Sequence, residues 1–377
     1  MNELRRKIEQ EIHERGPIPF SRYMEMCLYD PEFGYYSRNA GQFGKAGDFY
    51  TSSDVHAVFG RLLARQFDEM WRALGSPERI AIRELGPGRG LFAQDVLDWS
   101  EKKFPGFFRA LRYELVEQSS ALRDRIARTL ARRFEAGKAR FADAENPKEA
   151  CAEHSPMIVF ANEFFDAIPA DVISSRGSLR IDSQDVRFAE TWASASAEEL
   201  EFLDRYAVHP EEGERVEVTL RAQKEMASAC EFETGFVIAI DYGYTRDEQL
   251  AGRHRGTVKA IRQHSVSANA YEAPGEQDIT ADVNFTALAA IARQRGFEVQ
   301  KLITQSQFLM GIGEANQFAD AFEECRLPQE RAKVALQLKH LVTPAGMGES
   351  FHVLVASKGV DAKKVTALAG LSFGRQK

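Results

Sequence analysis

Only four cysteines are spread over the 377 residues, at Cys27, Cys151, Cys230 and Cys325, and no two form a CxxC pair. That scarcity argues against a disulfide-framed scaffold and a cysteine zinc site, and it predicts free thiols in a reducing compartment. The eight histidines do not fall at metal-ligand spacing with cysteines or acids, so no metal is expected. No run approaches the roughly 20 apolar residues that a membrane span needs, so none is expected. The opening MNELRRKIEQEIHERG is charged throughout and lacks the apolar core of a signal peptide. The expected location is therefore cytoplasmic. A surplus of positive charge is also missing: 49 Lys and Arg against 56 Asp and Glu leave a net charge of −7. That balance argues against nucleic acid as a partner. GxSxG, P-loop and HExxH patterns do not occur, and there is no internal repeat or low-complexity tract.

What is present is a soluble globular composition and a clear alternation. Strand-like apolar runs lie at Ile80–Leu85, Tyr113–Glu117, Ala139–Phe141, Met157–Ala161, Phe236–Asp241, Phe297–Ile303 and Phe351–Ala356. Helical spacing is read near 91–103, 119–135, 214–232, 284–295 and 329–340, and earlier over 3–15 and 55–74. Such alternation predicts an α/β chain with a mostly parallel, doubly wound sheet, which binds ligands beyond the carboxyl ends of its strands. Residues 20–54 read as one irregular, glycine- and aromatic-rich loop. Two insertions break the alternation: residues 170–192, a β-hairpin turning at Arg176-Gly177-Ser178, and residues 242–283.

The richest segment is IAIRELGPGRGLF, residues 80–92. A strand ends in Glu84-Leu85, then Gly86, Gly88 and Gly90 open a helix. Glycines at alternate positions let a ligand lie against bare peptide N–H groups, and the helix adds its positive dipole end. A dinucleotide fingerprint wants glycine at the sixth position, where this chain has Leu91. The acid Glu84 suits a ligand carrying a carboxylate and an ammonium together, as S-adenosylmethionine does. Glu117, closing the second strand, can accept both hydroxyls of a ribose, and Asp143 can reach an adenine amino group. An exposed strand-end acid and a solvated turn residue remain open for these two positions.

The second rich segment is MIVFANEFFDAIP, where a buried strand runs into Asn162, Glu163, Phe164 and Asp166. Carboxylates there can clamp a guanidinium by paired hydrogen bonds, aromatic faces can hold the cation, and an acid can take the released proton. An N-cap for a following helix is the plainer alternative. GKAGDFYTSSD, with Thr51, can cover a cofactor as a lid. His264 and Asp278 are further candidates for substrate contact, with surface and capping roles as the alternatives.

On these motifs the chain resembles the MidA family of class I S-adenosylmethionine-dependent methyltransferases. The likeness runs in order through GPIPFSRYM, YDPEFGYY, GDFYTSSDVHAVFG, ELGPGRG, YELVEQSSALR, FANEFFDAIPAD, IDYGY, GTVKAIRQH, DITADVNF and LVTPAGMGESFHVL. It departs from the family pattern at Ser52-Ser53-Asp54 and at Ile261. The resemblance implies a seven-stranded sheet with a helical N-terminal extension and insertions around the fifth strand. It divides the chain into an extension with a cofactor-covering loop (1–75), a methyltransferase domain (76–358) and a tail (359–377). Cofactor binding carries over to Gly86, Gly88, Gly90, Glu117 and Thr51, and the substrate side to Asn162, Glu163, Phe164 and Asp166. The implied activity is methyl transfer to a protein arginine, as in the family's mitochondrial member, a complex I assembly factor that symmetrically dimethylates an arginine of an NADH dehydrogenase subunit. A small-molecule methyltransferase and a cofactor-binding assembly factor stay open as alternatives, while Leu91 disfavours an NAD-dependent oxidoreductase.

Overall fold

Four apolar runs of the sequence become the middle of a sheet because they are buried on both faces, as strands covered by helices must be. In the computed structural model, which describes residues 3–38, 57–142, 155–184, 187–253, 255–262, 265–267, 269–314 and 316–373, these are β1 (Ile80–Leu85), β2 (Leu111–Val116), β4 (Met157–Asn162) and β5 (Gly235–Tyr244), with β3 (Ala139–Phe141) at one edge. At the other side lie β6 (Glu298–Val299), β7 (Ile303–Thr304) and β8 (Phe351–Lys358). The sheet path is β6–β8–β5–β4–β1–β2–β3, seven strands, with β7 pairing beside β8. The β1–β5 pairings are parallel, and β8 runs antiparallel to β5, β6 and β7. The chain order reverses between β1 and β4. That is the switch point at which such sheets open a crevice.

Contacts divide the chain into two units. One comprises 50–163, 229–242 and 292–377 and holds the body of this sheet. Its core joins Phe59, Phe67, Phe92 and Phe160, with the rings of Phe92 and Phe160 stacked at 4.5 Å. Phe92 stands in the first turn after the glycine loop, so this stack seats that turn on β4. Helix Ala57–Ala73 packs across helix Leu91–Lys103. A Cβ built on Gly60 would lie 2.5 Å from the Cβ of Asp95, so the two backbones approach through that glycine.

The other unit comprises 1–49, 164–228 and 243–291. Helix Glu3–Arg15 buries Leu4, Ile8 and Ile12, the four-residue spacing of the sequence. The segment read as irregular contains a helix, Phe20–Tyr29, which buries Phe20, Tyr23, Met24, Cys27 and Leu28. Those positions repeat at three and four residues, a period that the surrounding glycines and aromatics obscure. The expected hairpin is larger than two strands. Asp171–Ser174, Gly177–Gln184 and Arg187–Ala193 form a meander, joined at its edges by Ile18–Pro19 and Val216–Val218. The helix expected over 214–232 is thereby corrected to a strand, Val216–Val218, followed by a helix, Leu220–Ala229. Val-Glu-Val has the β-branched alternation of a strand, and pairing with Asp171–Ile173 outweighs local helix propensity. A small antiparallel sheet of Ser265–Ser267, Lys259–Arg262 and Asp278–Thr280 completes the unit.

Candidate functional site

Register brings three strand ends together. Leu85 of β1 lies beside Val116 of β2 and Ala161 of β4. The next residues, Gly86, Glu117 and Asn162, therefore share one carboxyl edge.

The loop after β1 is built on positive φ: 63° at Gly86, 53° at Gly88 and 75° at Gly90. Side chains with a Cβ rarely adopt that conformation, so glycine here serves the turn itself. Gly86 N–H donates to the Val116 carbonyl at 3.2 Å, and Gly90 N–H to the Pro87 carbonyl at 2.8 Å. The helix of Leu91–Lys103 begins directly after Gly90. Among the described residues, a Cβ on Gly88 would find no atom within 4 Å.

Glu84, two residues before the loop, is buried and accepts a hydrogen bond from the Tyr113 hydroxyl at 2.9 Å. Burial pushes its carboxyl up to about 8, with the Tyr113 bond pulling the other way. Glu114, equally buried on β2, is paired by Arg83 and Arg140. Glu84 has no such cation beside it among the described residues. An ammonium delivered by a ligand would supply the missing charge. Glu117 is half-buried, and burial lifts it to about 7 against the Ser119 and Gln118 N–H groups and the Arg123 charge. Its Oε1 accepts the Ser119 N–H at 2.8 Å, while the Ser119 hydroxyl caps the next helix. These contacts hold the carboxylate at the sheet edge, where a ribose can meet it.

At the end of β4, the Asn162 amide donates from Nδ2 to Glu163 Oε1 at 3.0 Å. Its Oδ1 is buried with no hydrogen-bond partner among the described residues. Glu163 has φ 51°, left-handed backbone that glutamate seldom takes, and its N–H is held by the Ile240 carbonyl at 2.9 Å. Strain of this kind persists where the surroundings over-determine it, and it concentrates at functional positions. Asp241, fully buried, follows Ile240 on β5. Tyr113, which holds Glu84, escapes a reading of the sequence because it looks like an ordinary strand residue. A tyrosine on the same face as the motif acid was the available signal.

The division of the chain falls between Glu163 and Phe164. In the second unit Phe164 meets Phe165 edge-on at 5.2 Å, and the buried Asp166 accepts the Ala281 N–H on its carbonyl at 3.0 Å. Thr51, Asp143 and His264 lie outside the described residues. Among the described residues no group of three His, Cys, Asp or Glu is arranged for a metal ion, and no helix is long and apolar enough to cross a membrane.

Residues 62–303 match the family described as "Putative S-adenosyl-L-methionine-dependent methyltransferase". The chain is 29% identical to the protein arginine methyltransferase NDUFAF7 homolog, mitochondrial, of Drosophila melanogaster, covering 95% of this chain and 85% of that one. It is 26% identical to the human protein arginine methyltransferase NDUFAF7, mitochondrial, over 92% of this chain and 81% of that protein. A Burkholderia thailandensis protein crystallised with S-adenosyl-homocysteine superposes with a TM-score of 0.82 at 28% identity, covering 99% and 94% of the two chains. The cytoplasmic location expected from the sequence is corrected here. These curated relatives are named as mitochondrial, and a charged N-terminus does not distinguish the two compartments.

Proposed function

We propose, for a chain that belongs to this family of S-adenosyl-L-methionine-dependent methyltransferases, that the methyl acceptor is the guanidinium of a protein arginine. The observation that carries the reading is the Asn162–Glu163 pair: a strained glutamate held by an amide whose own Oδ1 is buried without a partner. Relatives named as protein arginine methyltransferases point the same way.

When bound, S-adenosylmethionine supplies a methyl group on a sulfonium that an incoming nitrogen can displace in line. Gly86, Gly88 and Gly90 would offer backbone to the amino-acid end, Glu84 would pair with its ammonium, and Glu117 would accept the ribose hydroxyls. Glu163 would receive the guanidinium through charge-assisted hydrogen bonds and orient one of its nitrogens. Asn162 fixes that carboxylate through Nδ2 and offers Oδ1 as a further acceptor. Positioning of this kind is worth about 7–11 kcal/mol of a barrier. The nitrogen that accepts the methyl group must shed a proton, which the Glu163 carboxylate can take.

The test uses methyl-labelled cofactor and a mitochondrial extract from cells lacking the protein. Labelled arginine peptides are expected by mass spectrometry. Glu163→Gln should lower turnover by about 100-fold or more while leaving cofactor affinity within about twofold. Label confined to metabolites, or full turnover by Glu163→Gln, overturns the reading.

A further inference from the structure

Three segments far apart in sequence meet within the unit of residues 1–49, 164–228 and 243–291. The rings of Tyr29 and Tyr36 stack at 5.5 Å, and Tyr35 meets Tyr36 edge-on at 5.3 Å. The Tyr29 hydroxyl donates to the Ala167 carbonyl at 2.9 Å, and the Tyr36 hydroxyl to Asp278 Oδ1 at 2.9 Å. The Ala281 N–H donates to the Asp166 carbonyl at 3.0 Å. Asp166 and Asp278 are only 4% and 3% exposed, whereas Tyr29 remains 37% exposed. The cluster thus has two buried acids and an aromatic platform that solvent reaches.

Acids and rings can gather for packing alone, so the deciding observation is Thr280. In the strand Asp278–Thr280 side chains alternate in direction. Ile279 joins the apolar cluster of Ile18, Tyr23 and Ile181, which leaves Asp278 and Thr280 together on the other face. Thr280 is 1% exposed, and its Oγ1 has no hydrogen-bond partner among the described residues. A buried hydroxyl without a partner weakens a fold, so packing does not account for it.

We propose that Tyr29, Tyr36, Asp278 and Thr280 form a docking site for a guanidinium-bearing side chain of the acceptor protein, an arginine other than the one held at Glu163, and this site rests on the protein-acceptor reading above. A planar guanidinium stacks on tyrosine and presents several N–H donors in its plane. The ring pair takes its face, the Asp278 carboxylate takes its charge, and Thr280 Oγ1 accepts one N–H. An alkylammonium has neither the plane nor the fork, so the site selects arginine over lysine.

The experiment uses the full chain saturated with S-adenosylhomocysteine and two small probes, agmatine with a guanidinium and 1,5-diaminopentane with ammonium groups only. Agmatine is expected to bind saturably by calorimetry, about tenfold more tightly than the diamine. Thr280→Val and Asp278→Asn should each weaken agmatine by about tenfold with S-adenosylhomocysteine affinity unchanged. Thr280→Val removes a hydroxyl that has no hydrogen-bond partner among the described residues, so its thermal midpoint should hold or rise, and it decides the matter if Asp278→Asn folds poorly. Absence of saturable agmatine binding, equal binding of the diamine, or unaltered binding by Thr280→Val overturns the site. Labelled arginine peptides in the extract with unaltered probe binding by the variants sink the site and leave the activity standing. Variant-sensitive agmatine binding with no labelled arginine peptide sinks the activity and leaves the site.

Discussion

Glu84 has the Tyr113 hydroxyl as a donor, and burial raises its carboxyl to about 8. Below that pH the empty protein holds it neutral, yet pairing with an ammonium requires the carboxylate. Binding therefore releases a proton, and S-adenosylmethionine affinity should rise by up to about tenfold per unit between about pH 6 and 7.5. Tyr113→Phe removes the bond that favours the charged form, which moves the rise to higher pH. Calorimetry in buffers of different ionisation heat reads the released proton directly; a flat dissociation constant across that window would remove Glu84 from the ammonium site. Glu163 differs in kind: what distinguishes it is backbone strain at φ 51°, a property that no residue-type pattern encodes.

Helix Ala57–Ala73 and helix Leu91–Lys103 touch through Gly60 and Asp95. The atom met is a Cβ, which cannot rotate away, so Gly60→Ala should cost about 1–3 kcal/mol by urea denaturation even though alanine favours helices. A stabilised variant would mean that the two helices do not approach this closely. The same helix carries Phe92 onto Phe160, so loosening it should also weaken cofactor binding at the loop before it. At this scale the apolar runs were informative: Ile80–Leu85, Ala139–Phe141 and helix 91–103 stand where their patterns put them. Phe297–Ile303 instead divides into β6 and β7, because only its ends pair with β8.

Among the described residues, burial lifts Glu84 to about 8 and Asp95, Glu117 and Glu217 to about 7, and it raises Asp68, Glu69 and Asp171 as well. Unfolded, each would titrate near pH 4. Between roughly pH 4.5 and 8 the folded chain thus binds more protons than the unfolded one, and its stability falls as pH rises through that window. Carboxyls lowered by arginine, such as Glu11 beside Arg22, lose their contribution only below it. The thermal midpoint of the ligand-free protein should therefore decline from about pH 5 to 8, and saturating S-adenosylmethionine should flatten the share owed to Glu84. A midpoint that rises over the same range would show that these groups are not buried as described.

The sequence by itself determined the alternating elements, the glycine loop, the acids beside it and the Asn162–Glu163 segment, because these follow from periodicity and residue chemistry over short stretches. The tertiary structure decided the rest. Register aligned Gly86, Glu117 and Asn162 on one edge, burial set the proton affinities of Glu84 and Glu117, and folding brought Tyr36 to Asp278 across 242 positions. Hydrogen bonds and desolvation depend on distance in space, and a linear pattern carries no record of that distance.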